Sequence, residues 1–428
     1  MDTDICTRFD TVKLTNAYTT LWENTPDTFP ERKIQFTGRQ QKEKEAAMDS
    51  FSDELIQLIR GFPGKYREAS ERWGTALKRL LYCCGTGILG FDDESMRLLL
   101  DDSFCKSTSD FVEEARRFDA GFKTDEILQA LRNVWIMNCM QLMMGHKVAA
   151  APSVFAYSML YPYTDNYLDS RSVSAERKER INARLERRLA GDCLKAFDDY
   201  EDKLFRLVEI IEGQFGRESN PFVYKSLLGI HSAQRRSLRL HLCGPEGGGC
   251  DIAGISFEKG GASVLADAYL LKGSLTPREA SFAFGFGVLL QLLDDLQDAA
   301  ADRWNGHHTL FSGKIDFTSS ESNTNRLFNF AAGILDGDRC FNTPEATAIK
   351  NLIKKSVDLL LLWAVANNSG MYRRDYLSRL ETYSPISFGG CKRQCGRLER
   401  EYSKLKVRLA VKPLEVQMAK AFAAGRLQ

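Results

Sequence analysis

Residues 276–302, TPREASFAFGFGVLLQLLDDLQDAAAD, form the stretch that decides the fold of this chain. Thr276 is a preferred N-cap residue and Pro277 suits the first helical position, so a helix is predicted to begin here. The helical pattern then runs without interruption to Asp302, and the residues that lead into the aspartates are strongly apolar. The segment therefore predicts one long, mostly buried helix with acidic side chains near its end.

The helical period recurs outside this segment, and no alternating apolar and polar run of the strand type stands out. Pro152 and Pro221 also lie near predicted helix starts. The sequence thus predicts an all-α protein with a single large helical bundle over residues 51–428. Residues 1–50 are polar and mixed, which predicts a partly irregular N-terminal arm. Other predicted helices include 55–59, 127–144, 204–211 and 349–366, and the clearest predicted loops are 244–249 and 306–314.

The composition excludes several classes of protein. The chain has 428 residues and a net charge of +1, so it lacks the basic surface of a nucleic-acid-binding protein. Its first residues, MDTDICTRFD, do not resemble a signal peptide, and no apolar run approaches the roughly 20 residues of a membrane span. The eleven cysteines lack paired CxxC spacing, which favours reduced thiols over a zinc site. A cytoplasmic protein without a transmembrane segment is expected.

Two aspartate motifs carry the chemistry. Asp165 and Asp169 lie four residues apart, and Asp294, Asp298 and Asp302 continue the same spacing over two turns. Residues four apart share one face of a helix, and like charges there repel by roughly 0.2–0.5 kcal/mol per pair. A lone pair is ordinary on a solvated face, but two motifs with apolar flanks indicate a bound cation. Mg²⁺ fits best, because substrate phosphates complete its oxygen shell.

The second motif resembles that of a known superfamily. Residues 291–311, QLLDDLQDAAADRWNGHHTLF, resemble the second Asp-rich motif of squalene and phytoene synthases and the metal-binding triad of terpene synthases. The DNYLD sequence at 165–169 resembles the DxxxD motif of the large bacterial terpene synthases. Asp294 departs from the asparagine of the family pattern, and the Gly-Arg-Arg-Gly context of chain-elongating enzymes is missing after the first motif. The matching positions of the second motif are Gln291, Asp294, Asp298, Asp302, Gly306 and Leu310.

This resemblance implies a bundle of the class I terpenoid synthase type with a central cavity. About three Mg²⁺ ions and several basic side chains would hold the diphosphate of a prenyl substrate there. The implied metal ligands are Asp165, Asp169, Asp294, Asp298 and Asp302; the implied catalytic residues are Arg303, Tyr372, Arg373 and Arg374; the implied substrate-binding residues are Lys259, Arg235, Arg239, Gln291, Tyr157 and Phe286.

Three functions remain open at this point. The first is a terpene synthase that ionises a linear prenyl diphosphate, cyclises the cation and releases diphosphate. The second is a prenyl transferase of the squalene or phytoene type, which joins two prenyl diphosphates head to head. The third is a helical scaffold that binds metal without catalysis. The missing elongation context and the form of the first motif favour the cyclase, and a homodimer is compatible with each.

Overall fold

A computed structural model describes residues 10–64, 66–170, 172–238, 240, 250–313, 315–337, 340–411 and 414–427, with the side chains of Asp169 and residues 407–411 left undescribed. Within these ranges the regular structure is helical and no strand is present, which confirms the all-α prediction. None of the described helices is both long enough and apolar enough to cross a membrane. The predicted loop at 244–249 lies outside the described residues.

The helices are numbered in chain order and are joined mostly by short turns. They are α1 (Thr11–Asn24), α2 (Gly38–Arg60), α3 (Arg67–Cys83), a π-helical turn (Cys84–Leu89), α4 (Asp93–Leu99), α5 (Asp102–Phe118), α6 (Thr124–Met143), α7 (Pro152–Asp169), α8 (Ala175–Ala190), α9 (Asp199–Gln214), α10 (Pro221–Ser237), α11 (Ile252–Lys272), α12 (Pro277–Gln297), α13 (Ala299–Asn305), α14 (Phe317–Gly337), α15 (Pro344–Asn367), a 3₁₀ turn (Ser369–Met371), α16 (Arg374–Glu381), α17 (Phe388–Val411) and α18 (Glu415–Ala424).

Helices α11 and α12 form the centre of the bundle. Both are apolar around most of their circumference and bury most of their side chains, as expected of helices surrounded by protein. Helices α1, α6, α7 and α10 pack against α11, while α14 and α15 pack against α12. The two central backbones touch at Gly260 and Gly287: a β-carbon at Gly287 would lie 2.1 Å from the carbonyl oxygen of Gly260. This contact fixes how the two helices are placed relative to each other.

We expect Gly287→Ala to destabilise the protein, because the new methyl group forces the two central backbones apart. Overpacking of this kind costs about 1–3 kcal/mol of unfolding free energy, which urea denaturation can measure. Gly333→Ala on α14 is the matched control, because a β-carbon there meets nothing within 4 Å. The close contact would be contradicted if both variants unfolded at the same urea concentration as the parent.

The start of α12 confirms the prediction, whereas its end differs from it. Thr276 caps the helix by accepting from the backbone of Glu279, whose carboxylate accepts from the Thr276 N–H at 2.7 Å. The single helix predicted to reach Asp302 instead divides at Asp298, where φ is −93° and ψ is 6°. The N–H of Asp302 still donates to the Asp298 carbonyl at 2.8 Å, so the four-residue spacing continues through the break.

The first fifty residues differ from the predicted arm. Tyr18 and Trp22 on α1 are buried in the main core, and the Tyr18 hydroxyl donates to the Ser281 carbonyl at 2.6 Å. The predicted boundary at residue 50 falls inside α2, which begins at a capping box on Thr37. Within residues 11–50, which the structure describes, the stretch between α1 and α2 is the part without helix. Two aromatic side chains four residues apart give α1 one apolar face despite its polar composition.

Among the cysteines that the structure describes, all but Cys250 are in the predicted reduced state. Eight of them are free thiols, including the half-buried Cys139 and the buried Cys391. Cys250, at the start of the segment that leads into α11, is disulfide-bonded, so the expectation is wrong for that residue. The irregular spacing of cysteines along the chain carried no signal for this bond, because a disulfide depends on spatial and not sequential proximity.

Candidate functional site

A cavity of about 350 Å³ lies between α6, α7, α10, α11 and α12 and reaches Leu360 of α15. Gly260 and Gly287 line it, so the close contact of the central helices forms part of its wall. The lining is polar near the aspartate motifs and aliphatic elsewhere. The polar lining residues are Gln129, Arg132, Asn133, Tyr161, Gln234, Lys259, Ser263, Gln291, Asp294 and Gln297.

The two aspartate motifs meet at this cavity through Lys259. Its ammonium nitrogen lies 3.7 Å from Oδ1 of Asp165 on α7, and its charge partly opposes the rise that burial causes in the pKa of Asp294 on α12. The pKa of Tyr161, one turn before Asp165, is affected by aspartates of both motifs. Burial raises the pKa of Tyr161 to about 12, and the carboxylates of Asp165 and Asp294 add to that rise. Helices α7 and α12 therefore present their acidic residues to a shared space.

The carboxylates of the second motif repel one another. Burial raises the pKa of Asp294, and the neighbouring Asp298 and Asp302 raise it further. Burial and Asp302 likewise raise the pKa of Asp298. Asp294 is surrounded by protein but remains accessible to water through the cavity that it lines. These side chains thus hold an excess of negative charge that a cation would stabilise.

Asp295 is the fully enclosed aspartate of this motif. Its side chain is buried, and its Oδ1 accepts a hydrogen bond from the Gln291 side chain at 2.8 Å. Its Oδ2 has no hydrogen-bond partner within the described residues. Burial raises the pKa of Asp295 to about 7, despite the hydrogen bond from Gln291. Gln291 therefore links a buried carboxyl group to the cavity that it lines.

The acidic residues fit Mg²⁺ only together with an anionic substrate. Within the described residues, no group of three or more His, Cys, Asp or Glu side chains is arranged to hold a metal ion. Mg²⁺ commonly takes one or two protein carboxylates and completes its shell with water and substrate phosphates. Asp165 and the mutually repelling Asp294 and Asp298 supply carboxylates of that kind. Asp169 is the last residue of α7, and its side chain lies outside the description.

Arg132 is a cavity residue that sequence reasoning missed. It is the only basic residue of α6, and its charge partly opposes the rise that burial causes in the pKa of Asp294 and Asp298. Among the described residues its guanidinium group forms no hydrogen bond and no ion pair. A single cation in a helix of otherwise apolar, neutral or acidic residues was the available signal. An unpaired guanidinium group beside the aspartates is well suited to bind an anionic ligand.

The predicted basic residues divide into two groups. Lys259 lines the cavity, whereas Arg303 does not. The guanidinium group of Arg303 donates to the carbonyl of Gly313 at 3.0 Å and to that of Phe311 at 3.3 Å. Helix α13 ends at Asn305 and the chain folds back, so this side chain holds the returning loop, and a catalytic role for Arg303 stays a prediction.

The segment at Tyr372 does not reach the cavity either. The buried Tyr372 hydroxyl lies 2.9 Å from that of Thr324 on α14. Arg373 forms an ion pair with Glu321, and its backbone N–H donates to the same carboxylate at 3.0 Å. Arg374 is exposed at the first turn of α16. None of the three lines the cavity, because this segment packs against α14.

Arg235 and Arg239 were predicted to bind the substrate, but in the described part of the chain no arginine of α10 lines the cavity. Arg235 is paired with Glu179 and Glu186 of α8, at 2.6 and 2.7 Å, so its charge is directed away from the cavity. Arg239 lies outside the described residues. Gln234 is the residue at the end of α10 that lines the cavity.

The wall of the cavity is aliphatic, whereas aromatic residues were predicted. Phe286 is buried in the core, where its ring lies 6.0 Å from that of Phe282, and it does not line the cavity. Tyr157 lines a smaller neighbouring cavity of about 30 Å³, and its hydroxyl donates to the Ser263 carbonyl at 3.4 Å. Tyr161 is the aromatic residue of the main lining, and the aliphatic lining residues are Ile136, Ile230, Val264, Leu290, Leu293 and Leu360.

Comparison with known proteins adds no relative to this description. No protein-family model, no curated protein and no solved structure matches the chain. The chemistry must be inferred from the cavity itself. That cavity combines Asp294, two cations and an aliphatic wall, and one of the cations, Lys259, lies 3.7 Å from Asp165.

Proposed function

We propose that this protein is a Mg²⁺-dependent enzyme of the class I terpene synthase type. It ionises a linear allylic prenyl diphosphate, cyclises the resulting cation and releases diphosphate. One observation carries the proposal: Lys259 lines the same cavity as Asp294 of the second motif, and its ammonium nitrogen lies 3.7 Å from Oδ1 of Asp165 of the first motif. The spacing of the motifs and their resemblance to the terpene and squalene synthase superfamily agree with it.

The residues of the cavity have separate roles in this proposal. Asp165, Asp294 and Asp298 would hold Mg²⁺, which supplies Lewis-acid stabilisation of the departing diphosphate when bound. Lys259 and Arg132 donate charge-assisted hydrogen bonds to the diphosphate oxygens. The aliphatic side chains bind the hydrocarbon chain and exclude water, which would otherwise capture the allylic cation.

The size of the cavity favours cyclisation over head-to-head coupling. At about 350 Å³ it lies near the lower end of the roughly 300–1,000 Å³ typical of ligand pockets. It therefore accommodates one prenyl chain more readily than the two that coupling requires. The aliphatic wall favours the second candidate, a prenyl transferase, because a cyclising cation gains from aromatic faces that this wall offers only at Tyr161.

Product analysis distinguishes these candidates. The purified full chain would be incubated with Mg²⁺ and geranyl, farnesyl or geranylgeranyl diphosphate, with EDTA as the control. We expect diphosphate release and an organic product with the carbon count of one substrate. A doubled carbon count would support the transferase. If none of the three prenyl diphosphates released diphosphate, both activities would be contradicted. The metal-binding scaffold would then be the remaining candidate.

We expect Arg132→Met to weaken binding of Mg²⁺-diphosphate by about tenfold or more. Hydrogen bonds to charged groups contribute about 1.5–3 kcal/mol, and about 1.4 kcal/mol corresponds to tenfold in affinity. Titration calorimetry with inorganic diphosphate measures the change. Arg303→Met is the matched control, because Arg303 binds the carbonyls of the loop after α13. Equal losses in the two variants would contradict the role given to Arg132.

A further inference from the structure

A second cavity, of about 410 Å³, also borders α15. Different residues of α15 line the two cavities: Leu360 lines the aspartate cavity, whereas Leu359 and Leu362 line the second one. It is enclosed by residues 30–36, α14, α15 and α16, and is called the α14–α15 cavity here. No residue lines both cavities. The α14–α15 cavity is therefore a separate space that the proposed reaction does not use.

The interior of the α14–α15 cavity is apolar and its charges are mostly paired. Arg32 lies 2.9 Å from the Asp358 carboxylate, and Lys354 lies 2.6 Å from that of Asp336. Asp336 and Asp358 thus already have a cation, while Glu31 and Lys33, which also line the cavity, are exposed to solvent. The apolar lining includes Phe328, Ala331, Leu335, Leu359 and Leu362.

Lys355 is the half-buried charge of the lining that lies outside these two ion pairs. Its side chain is half-buried in the lining, and it forms no hydrogen bond or ion pair with any other described residue. Burial lowers the pKa of Lys355, and the positive charge of nearby Lys44 lowers it further against the attraction of Asp358. Lys44 itself lies 5.8 Å from the ring centroid of Phe36, which also lines the cavity.

The ammonium group of Lys44 thus adds positive charge beside the cavity that Lys355 lines, and no described acid forms an ion pair with Lys355. Lys44 donates to the carbonyls of Gly87 and Ile88 at 2.8 and 3.0 Å, which satisfies hydrogen bonds without neutralising charge. A partly desolvated charge without a counter-ion is costly, and an anion placed beside it offsets that cost.

We propose that the α14–α15 cavity binds a small amphiphile with one anionic head group, a phosphate or a carboxylate. The head group lies against Lys355, and the hydrocarbon part packs between α14 and α15. A neutral apolar molecule would leave the ammonium group without a counter-ion, and an inorganic anion would leave the apolar walls in contact with water. The inference does not depend on the function proposed for the aspartate cavity.

Calorimetric titration of the full chain in EDTA tests this site, with decyl phosphate and decanoate as the anionic probes. Decanol is the uncharged match. We expect one anion to bind per chain, with an affinity at least about tenfold above that of decanol, because a charge-assisted hydrogen bond contributes at least that factor. The stronger of the two anions identifies the preferred head group.

Three variants locate the binding. Lys355→Met keeps the aliphatic stem and should lower anion affinity by about tenfold. It should also raise the melting temperature of the free protein, because a desolvated charge is removed. Ala332→Phe fills the cavity and should abolish binding. Lys106→Met removes an exposed lysine that is paired with Asp110 at 2.5 Å, and should leave affinity unchanged.

The proposal would be overturned if decanol bound as tightly as the anions, or if Lys355→Met left anion affinity unchanged. Binding that survives Ala332→Phe would place the probe elsewhere, including the aspartate cavity, and would also overturn it. Neither readout requires turnover of a prenyl diphosphate. Failure of this proposal is therefore distinguishable from failure of the proposed function.

Discussion

Asp298→Asn is expected to lower the rate of diphosphate release by roughly 10²- to 10³-fold, the range seen when one group that stabilises a transition state is removed. Asp298 lies at the break between α12 and α13, beside Asp294 and Asp302. Its replacement removes a carboxylate from the group that would hold Mg²⁺. A coupled assay of diphosphate release from farnesyl diphosphate measures the loss.

The same substitution, which lowers activity, should raise the stability of the metal-free protein. Without metal, Asp298 repels its neighbours, so Asp298→Asn should stabilise the free protein by a few tenths of a kcal/mol. Asp192→Asn, at an exposed acid after α8, is the control and should leave activity unchanged. An active parent whose Asp298→Asn variant keeps full activity would refute a metal-binding role for this residue.

The second large effect concerns Asp267 on α11 and the pH dependence of stability. Asp267 is fully buried, its Oδ1 accepts from the Asn133 side chain at 3.1 Å, and its Oδ2 has no partner in the described part of the chain. Burial raises its pKa to about 8 from an ordinary value of 3.8. Between these values the folded protein binds one proton more than the unfolded chain. Stability should therefore fall as pH rises through this window, by about 1.4 kcal/mol per pH unit for this group.

Urea denaturation between pH 5 and pH 8 measures this dependence. Asp267→Asn keeps the shape of the side chain and its hydrogen bond but removes the proton that Asp267 binds. The unfolding free energy of the variant should therefore depend less on pH, by about 1.4 kcal/mol per pH unit, and should exceed that of the parent mainly at pH 8. Asp295, whose pKa burial raises to about 7, contributes in the same direction. His231 contributes in the opposite direction, because burial lowers its pKa. The difference between variant and parent isolates Asp267, and parallel stability curves for the two would rule out the buried, protonated acid.

The sequence predicted those features that depend on neighbouring residues. The capped start of α12 at Thr276 and Pro277 follows from local hydrogen bonding and a fixed φ angle, and both are present. Pro152 and Pro221 likewise occupy the first turns of α7 and α10. Helical periodicity also predicted the all-α architecture, because it reflects one apolar face per helix in most of the chain.

The directions in which side chains point from their helices could not be predicted in the same way. Helix α12 is apolar on nearly every side, so periodicity could not show that Leu290 and Leu293 face the cavity while Phe286 faces the core. Arg303 follows Asp302 in sequence, but the helix ends two residues later and its side chain binds the loop. Arg132 was missed because it lies far from both motifs in sequence and approaches them only through packing of α6.

The backbone contact between Gly260 and Gly287 has a consequence for how such a protein can diverge. Lys259 and Gln291 lie next to this contact, so no large side chain determines how far apart the two helices hold them. Substitutions at Ile136, Leu293 or Leu360 change the space in the cavity without altering that contact. The charged end and the apolar end of the cavity can therefore evolve independently, and related chains can accept molecules of different size with the same charged groups.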